Sequence, residues 1–143
     1  MATAHLPPSF EVVYEEECLR LLATQEVGRL AVIEGGYGPL IVPVNYVVDG
    51  GAVVFVTDSG TKLRGATRSP VAFEVDHLDP HTRSGWSVVL RGLAHELGGK
   101  DRDDLLGRLT AMSFQPWVPG DKPYLVRIAA TTVTGRRIRP ART

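Results

Sequence analysis

A glycine, a threonine and a lysine set directly behind an apolar strand are the residues of this 143-residue chain best placed to do chemistry. In Asp58-Ser59-Gly60-Thr61-Lys62-Leu63, small hydroxyl residues and a glycine precede a short segment of helical character, Thr61 to Thr67. A helix start exposes unpaired N–H groups carrying partial positive charge, and Gly60 lets the backbone come close to a ligand. Thr61 adds a hydroxyl donor and Lys62 a full charge. Those are the parts of a cradle for one phosphate. The GxxxxGK[ST] spacing is absent, which argues against a nucleoside triphosphate. The same residues also suit a plain helix start, with Ser59 or Thr61 as the cap and Lys62 solvated.

The strand that delivers this turn belongs to a hairpin. Leu40 to Val48 and Ala52 to Thr57 are rich in Val, Ile, Tyr and Phe, and Asp49-Gly50-Gly51 between them supplies the positive-φ residues of a tight turn. With Gly50 and Gly51 at the turn, Tyr46 faces Phe55 and Val44 faces Thr57. An aromatic pair, an aliphatic and a hydroxyl then share one surface, which could receive a flat ring. Pro43 cannot donate to a ladder, so its side of the strand is expected to be an edge, a bulge or a place where a ligand replaces a strand.

Composition bounds the remaining possibilities. Sixteen basic and sixteen acidic residues, with 43% hydrophobic content, suit a single domain over residues 1–143 with a genuine core. Zero formal charge argues against a general nucleic-acid or membrane binder. Residues 1–13 read as a loose lead-in, and residues 135–143, with Arg136, Arg137, Arg139 and Arg142, as a solvated basic tail. A lone cysteine, Cys18, sits among leucines and reads as a small buried hydrophobe. Nothing resembles a signal peptide or a membrane span, so a cytoplasmic protein is expected. Asp76, His77, Asp79 and His81 crowd around Pro80 without a regular face, so a solvated loop is expected there and no metal.

The other elements follow from periodicity. Tyr14 to Thr24 reads as a helix with acidic residues in its first turn and an apolar stripe at Cys18, Leu21 and Leu22. Gly28–Glu34, Pro70–Asp76, Gly85–Leu97 with a bulge at Gly92, and Tyr124–Val133 read as strands. Lys100 to Met112 reads as a helix with Leu105, Leu106, Leu109 and Met112 on its apolar side, followed by a proline-broken loop around Trp117. The expected fold is mainly β (α+β): a six-stranded antiparallel split β-barrel with short flanking helices, since closure removes unprotected edges.

The order of segments EECLRLLAT, VGRLAV, PVNYVVDGG, VVFVT, GTKL, VAFEVD and GWSVVLRG resembles the pyridoxamine 5'-phosphate oxidase-like proteins with an FMN-binding split β-barrel, particularly the small branch that includes nitroimidazole-resistance proteins. The resemblance implies that Pro43, Val44, Asn45 and Tyr46 lie along the isoalloxazine of FMN and that Phe55 and Thr57 reach its ribityl side. It implies that Thr61 and Lys62 hold the phosphate, with Leu63 counted among the cofactor-binding residues. Trp86 and Ser87 match the positions from which such proteins complete the site from the neighbouring subunit, which implies a homodimer with two interfacial cofactors.

The chain departs from true pyridoxamine phosphate oxidases in stopping soon after Gly135-Arg136-Arg137-Ile138-Arg139, without their C-terminal tryptophan-bearing segment, which argues against vitamin B6 oxidation. It offers no Ser/His/Asp set and no paired carboxylates at a defined spacing, so no catalytic residue is assigned. That suits a flavin enzyme, in which the cofactor carries the hydride. The leading expectation is an FMN-dependent oxidoreductase acting on a small organic substrate. The alternatives are a deazaflavin coenzyme on the same barrel, or a non-catalytic dimer that carries flavin or haem.

Overall fold

Gly50 and Gly51 take φ values of 58° and 79°, the left-handed pair that a two-residue hairpin turn requires and that L side chains resist. They join β3 (Gly38–Asp49) to β4 (Ala52–Thr57), with Tyr46 opposite Phe55 and Asp49 opposite Ala52. The computed structural model of the chain describes residues 6–57, 69–112, 114 and 124–142. The expected phosphate turn (Thr61, Lys62, Leu63), its short helix and Trp117 lie outside the described residues.

Around the hairpin, β2 (Val27–Glu34), β5 (Pro70–Asp79), β6 (Ser84–Glu96) and β7 (Tyr124–Arg139) complete an antiparallel sheet in the order β7-β4-β3-β2-β5-β6. β6 then pairs with β7, so the six strands close on themselves as expected. Closure demands that β7 bend, and a register shift at Arg91/Gly92 supplies the bend. Thr131 is the extra residue there, its hydroxyl donating to the Arg91 carbonyl at 3.1 Å. Any Cβ at Gly92 would stand 2.0 Å from the Ala129 carbonyl oxygen, so the predicted bulge position admits only glycine.

Alternation sends one face of each strand inside. Leu30, Val32, Tyr46, Val53, Phe55, Phe73, Val75, Val88, Leu90 and Ile128 fill the barrel, and α1 (Glu15–Leu22) adds Cys18, Leu21 and Leu22 to the same cluster. Cys18 is fully buried, and burial pushes its thiol above the ordinary range. At eight residues α1 is too short to persist alone and depends on this packing. Outside the barrel, α2 (Gly99–Ala111) lays Leu105 and Leu109 over Val54, Val56 and Leu125. β4 is therefore covered on both faces, which is why its sequence AVVFVT is apolar without alternation. Met112, expected on the apolar side of α2, is exposed.

Two expectations about the chain ends are corrected. Residues 9–13 of the supposed lead-in form β1 (Ser9–Val13), and residues 135–139 of the supposed tail are the end of β7, to which β1 pairs from Ser9↔Arg139 to Val13↔Gly135. Isolated from each other, both segments read as solvated. Paired, they satisfy each other's backbone groups, and a bridge between Leu6 and Arg142 extends the contact. The polar stretch after Asp76 also differs from expectation: β5 runs on to Asp79, pairing His77 with Trp86 and Asp79 with Ser84, and only the turn 80–83 remains as loop. Among the described residues no helix is long and apolar enough to cross a membrane.

Candidate functional site

The inward surface of the β3–β4 hairpin is closed to any ligand. Val44, Tyr46, Phe55 and Thr57 are 7%, 2%, 1% and 8% exposed. Tyr46 meets Phe73 edge-on with ring centroids 5.0 Å apart, and its hydroxyl donates to the Leu22 carbonyl at 2.5 Å at the end of α1. Burial also raises the Tyr46 phenol far above its ordinary range, so it serves as a fixed donor rather than a proton-transfer group. The expected flat-ring surface of Val44, Tyr46, Phe55 and Thr57 is thus barrel core. The same alternation turns Pro43 and Asn45 outward, Pro43 exposed and Asn45 half-buried with its amide donating to the Glu26 carbonyl at 3.4 Å. Pro43 stands opposite Arg29 of β2, while the registered pairs with β4 begin only at Asn45.

Trp86 and Ser87 lie on β6, three strands away from β3, with β2 and β5 between. Trp86 is half-buried against the edge of the interior cluster. Ser87 alternates to the outer face, opposite Asp76 on one side and Arg136 on the other. One copy of the chain therefore does not bring Trp86 and Ser87 to its own Pro43 and Asn45. Near Trp86 the outer surface is notched. A cavity of about 210 Å³ is lined by Phe10, Leu78, Gly85, Trp86, Ser87, Arg136 and Ile138.

Charge is arranged around three carboxylate groups. At the hairpin turn, Asp49 accepts from Arg108 of α2 at 3.1 Å and from Arg127 of β7 at 2.8 Å, which ties turn, helix and strand together. At the chain ends, Glu11 accepts from Arg137 at 3.3 Å and from Arg139 at 3.1 Å, and Glu17 accepts from Arg137 at 3.2 Å and from Arg20. Arg20 first, with Arg137 behind it, holds the Glu17 carboxyl down at about 2 against the opposing effect of desolvation. Arg139, chiefly, likewise lowers Glu11. Two of the arginines read as a solvated tail, Arg137 and Arg139, are thus the clip that holds β1 and α1 to β7.

The third group is on the outer wall. Glu74 and Asp76 follow each other on the outward side of β5, and Arg29 reaches them from β2 at 3.8 and 3.7 Å. Burial first, then the hydrogen bond and negative charge of Asp76, push the Glu74 carboxyl up to about 7, with Arg29 opposing. These paired carboxylates escaped the sequence reading. Their spacing of two, Glu74-Val75-Asp76 inside PVAFEVD, was the one available indication that they share a face.

A closed antiparallel barrel with an interior filled by side chains, helices on its outside and its polar groups on the outer wall is a split barrel. Within that class the family is defined by comparison. The sequence profile of the family described as pyridoxamine 5'-phosphate oxidase matches residues 14–137. The chain is 38% identical over 129 residues to the uncharacterized protein Rv0080 of Mycobacterium tuberculosis (strain ATCC 25618 / H37Rv), a match spanning 86% of this chain and 82% of that protein. Among solved structures it is similar to the FAD binding protein from Mycobacterium smegmatis, with 34% identity, 90% of this chain and 97% of that one covered, and a TM-score of 0.70. It is also similar to the FAD-binding protein mll6688 from Mesorhizobium loti, with 25% identity, coverages of 92% and 98%, and a TM-score of 0.70. This chain belongs to the pyridoxamine 5'-phosphate oxidase family.

Proposed function

We propose that the protein is a flavin-dependent oxidoreductase of small organic substrates, working as a homodimer with the riboflavin 5'-phosphate moiety of its cofactor at the interface. The observation that carries this reading is the separation of two half-sites on a barrel whose interior is full. Pro43 and Asn45 face outward on β3, Trp86 and Ser87 belong to β6 three strands away, and the space between the strands is packed with side chains. A cofactor touching both sets needs the first from one copy and the second from another. The family match and the FAD-binding character stated for two similar proteins give the ligand class.

The residues present suit such a group. On β3 the outward faces of Pro43 and Asn45 offer contacts along a flat ring. Thr61 and Lys62, beside Leu63, take the phosphate, and Phe55 and Thr57 hold the strand that delivers them. From the second copy, Trp86 provides an apolar wall and Ser87 a hydroxyl. When bound, flavin supplies the hydride-transfer chemistry. The protein's own groups bind and orient the ring and exclude water, and no side chain is needed as a nucleophile.

The purified protein should show a flavin absorption spectrum, and mass spectrometry of the ligand released on denaturation should identify it. A deazaflavin or haem in that fraction, or no ligand and no uptake of added flavin, overturns the reading. FMN should bind about tenfold or more tightly than riboflavin, because the phosphate makes charge-assisted contacts of about 1.5 to 3 kcal/mol. Lys62→Ala should remove most of that difference. Sedimentation should give one dimeric species, and a monomer holding stoichiometric flavin would defeat the shared site.

A further inference from the structure

The outer wall beside Trp86 carries two consecutive rows of residues that run across four strands. The first row is Leu78, Gly85, Ile138 and Phe10, set by the pairs Leu78↔Gly85, Gly85↔Ile138 and Phe10↔Ile138. The second, two residues further along each strand, is Asp76, Ser87, Arg136 and Val12. Strand alternation puts both rows on one face. The first row is apolar and has a gap at Gly85, whose φ of 152° and whose Cβ position, 2.3 Å from the His77 carbonyl oxygen, admit no side chain. The gap is the floor of the 210 Å³ cavity. That is smaller than the roughly 300–1,000 Å³ of a site for a whole drug-sized ligand, so it suits one ring system.

The second row supplies charge. Three arginines crowd the end of β7, but alternation divides them. Arg137 and Arg139 turn towards Glu11 and are neutralised there, whereas Arg136 turns to the other face. Among the described residues Arg136 has no carboxylate partner, and its guanidinium lies over the Phe10 ring, 5.5 Å from the centroid. The carboxylate of its own row, Asp76, is engaged by Arg29 at 3.7 Å. An unneutralised cation and a serine hydroxyl therefore stand one row, about 7 Å, from an apolar slot. That is the layout of a base and its phosphate separated by a ribose.

We infer that the Gly85 slot and Arg136 form a nucleotide subsite that takes the adenylate half of a flavin dinucleotide. Leu78, Ile138 and Phe10 flank the adenine ring, and Arg136 with Ser87 meets the phosphate of the adenylate. Phe10 and Leu78, 61% and 63% exposed in one copy, then gain a ligand to cover them. The subsite adjoins Trp86 and Ser87, so it rests on the flavin reading above and extends that cofactor from mononucleotide to dinucleotide.

Isothermal titration of the protein with FAD, FMN and adenosine monophosphate tests it. FAD should bind about tenfold or more tightly than FMN, and adenosine monophosphate should compete with FAD but not with FMN. Arg136→Gln and Phe10→Ala should each erase the FAD preference while leaving FMN affinity in place, and circular dichroism verifies that both variants remain folded. Equal affinities for FAD and FMN, or an FAD preference that survives both substitutions, overturns the subsite alone. If neither flavin binds, the flavin reading and the subsite fall together. Binding of adenosine monophosphate that leaves FAD unaffected marks a site for a free nucleotide and overturns the assignment to the cofactor.

Discussion

The inward face of the β3–β4 hairpin and the outward face of β5, β6 and β7 are built from the same period-two strands, yet they put aromatic and polar residues to opposite uses. Inside, Tyr46 and Phe55 fill volume, and the single polar tip among them, the Tyr46 hydroxyl, is consumed by the Leu22 carbonyl. Outside, Phe10 stays exposed, Arg136 lacks a carboxylate partner among the described residues, and Gly85 leaves a slot. Stability resides on the first face, and the proposed binding falls on the second. An aromatic residue in a strand is chemically ambiguous until its side of the sheet is known.

The sharpest way to break this division is Phe55→Ala. Truncating a fully buried phenylalanine typically costs about 3–5 kcal/mol, a large share of the stability of a domain this size. Urea denaturation should show a loss of that order, with flavin binding failing only through the fraction unfolded. A Phe55→Ala protein of undiminished stability that had lost flavin would place a cofactor surface inside the barrel. Tyr46→Phe is the milder version. It keeps the ring against Phe73 and deletes only the donor to Leu22, which leaves a carbonyl at the end of α1 without that partner. The expected cost is about 1–3 kcal/mol, or about 2–4 °C of melting temperature per kcal/mol, with flavin affinity unchanged.

What could be read from the sequence was local, and what could not was distant. The turn at Gly50 and Gly51, the Tyr46↔Phe55 register, the bulge at Gly92 and the Leu105–Leu109 stripe each depend on neighbours within a few residues or on one backbone conformation. β1 was missed because its partner lies about 126 residues away, and Arg137 and Arg139 read as a tail because Glu11 is equally remote. The side on which the hairpin buries its aromatics was misassigned for a related reason. Alternation fixes that Val44, Tyr46, Phe55 and Thr57 share a face, but which face is inside depends on Phe73, Leu90 and Ile128 closing over them. Most of the proposed site was named from family resemblance. Arg136 emerged only once the carboxylates taken by its neighbours were known.

The smallest expected effect concerns the outer wall itself, where Glu74 and Asp76 share a half-buried position with a single arginine. Burial and the neighbouring Asp76 raise the Glu74 carboxyl from an ordinary 4.5 to about 7. An acid whose folded-state value is raised favours the folded state while protonated. The contribution is complete below about pH 4.5 and is lost as the pH climbs through about 7. Two negative charges then face Arg29 alone, at 3.8 and 3.7 Å, and one remains uncompensated. Glu74→Gln removes the titration and keeps the shape, so it should be neutral near pH 4.5 and stabilising at pH 8. Solvent reaches about a third of the Glu74 side chain, so screening holds the gain to about 1 kcal/mol or less. Thermal melts of wild type and variant between pH 4.5 and 8 should diverge on the alkaline side. Parallel curves would mean that Arg29 already neutralises the pair, and the outer wall would then be electrostatically as quiet as the barrel interior.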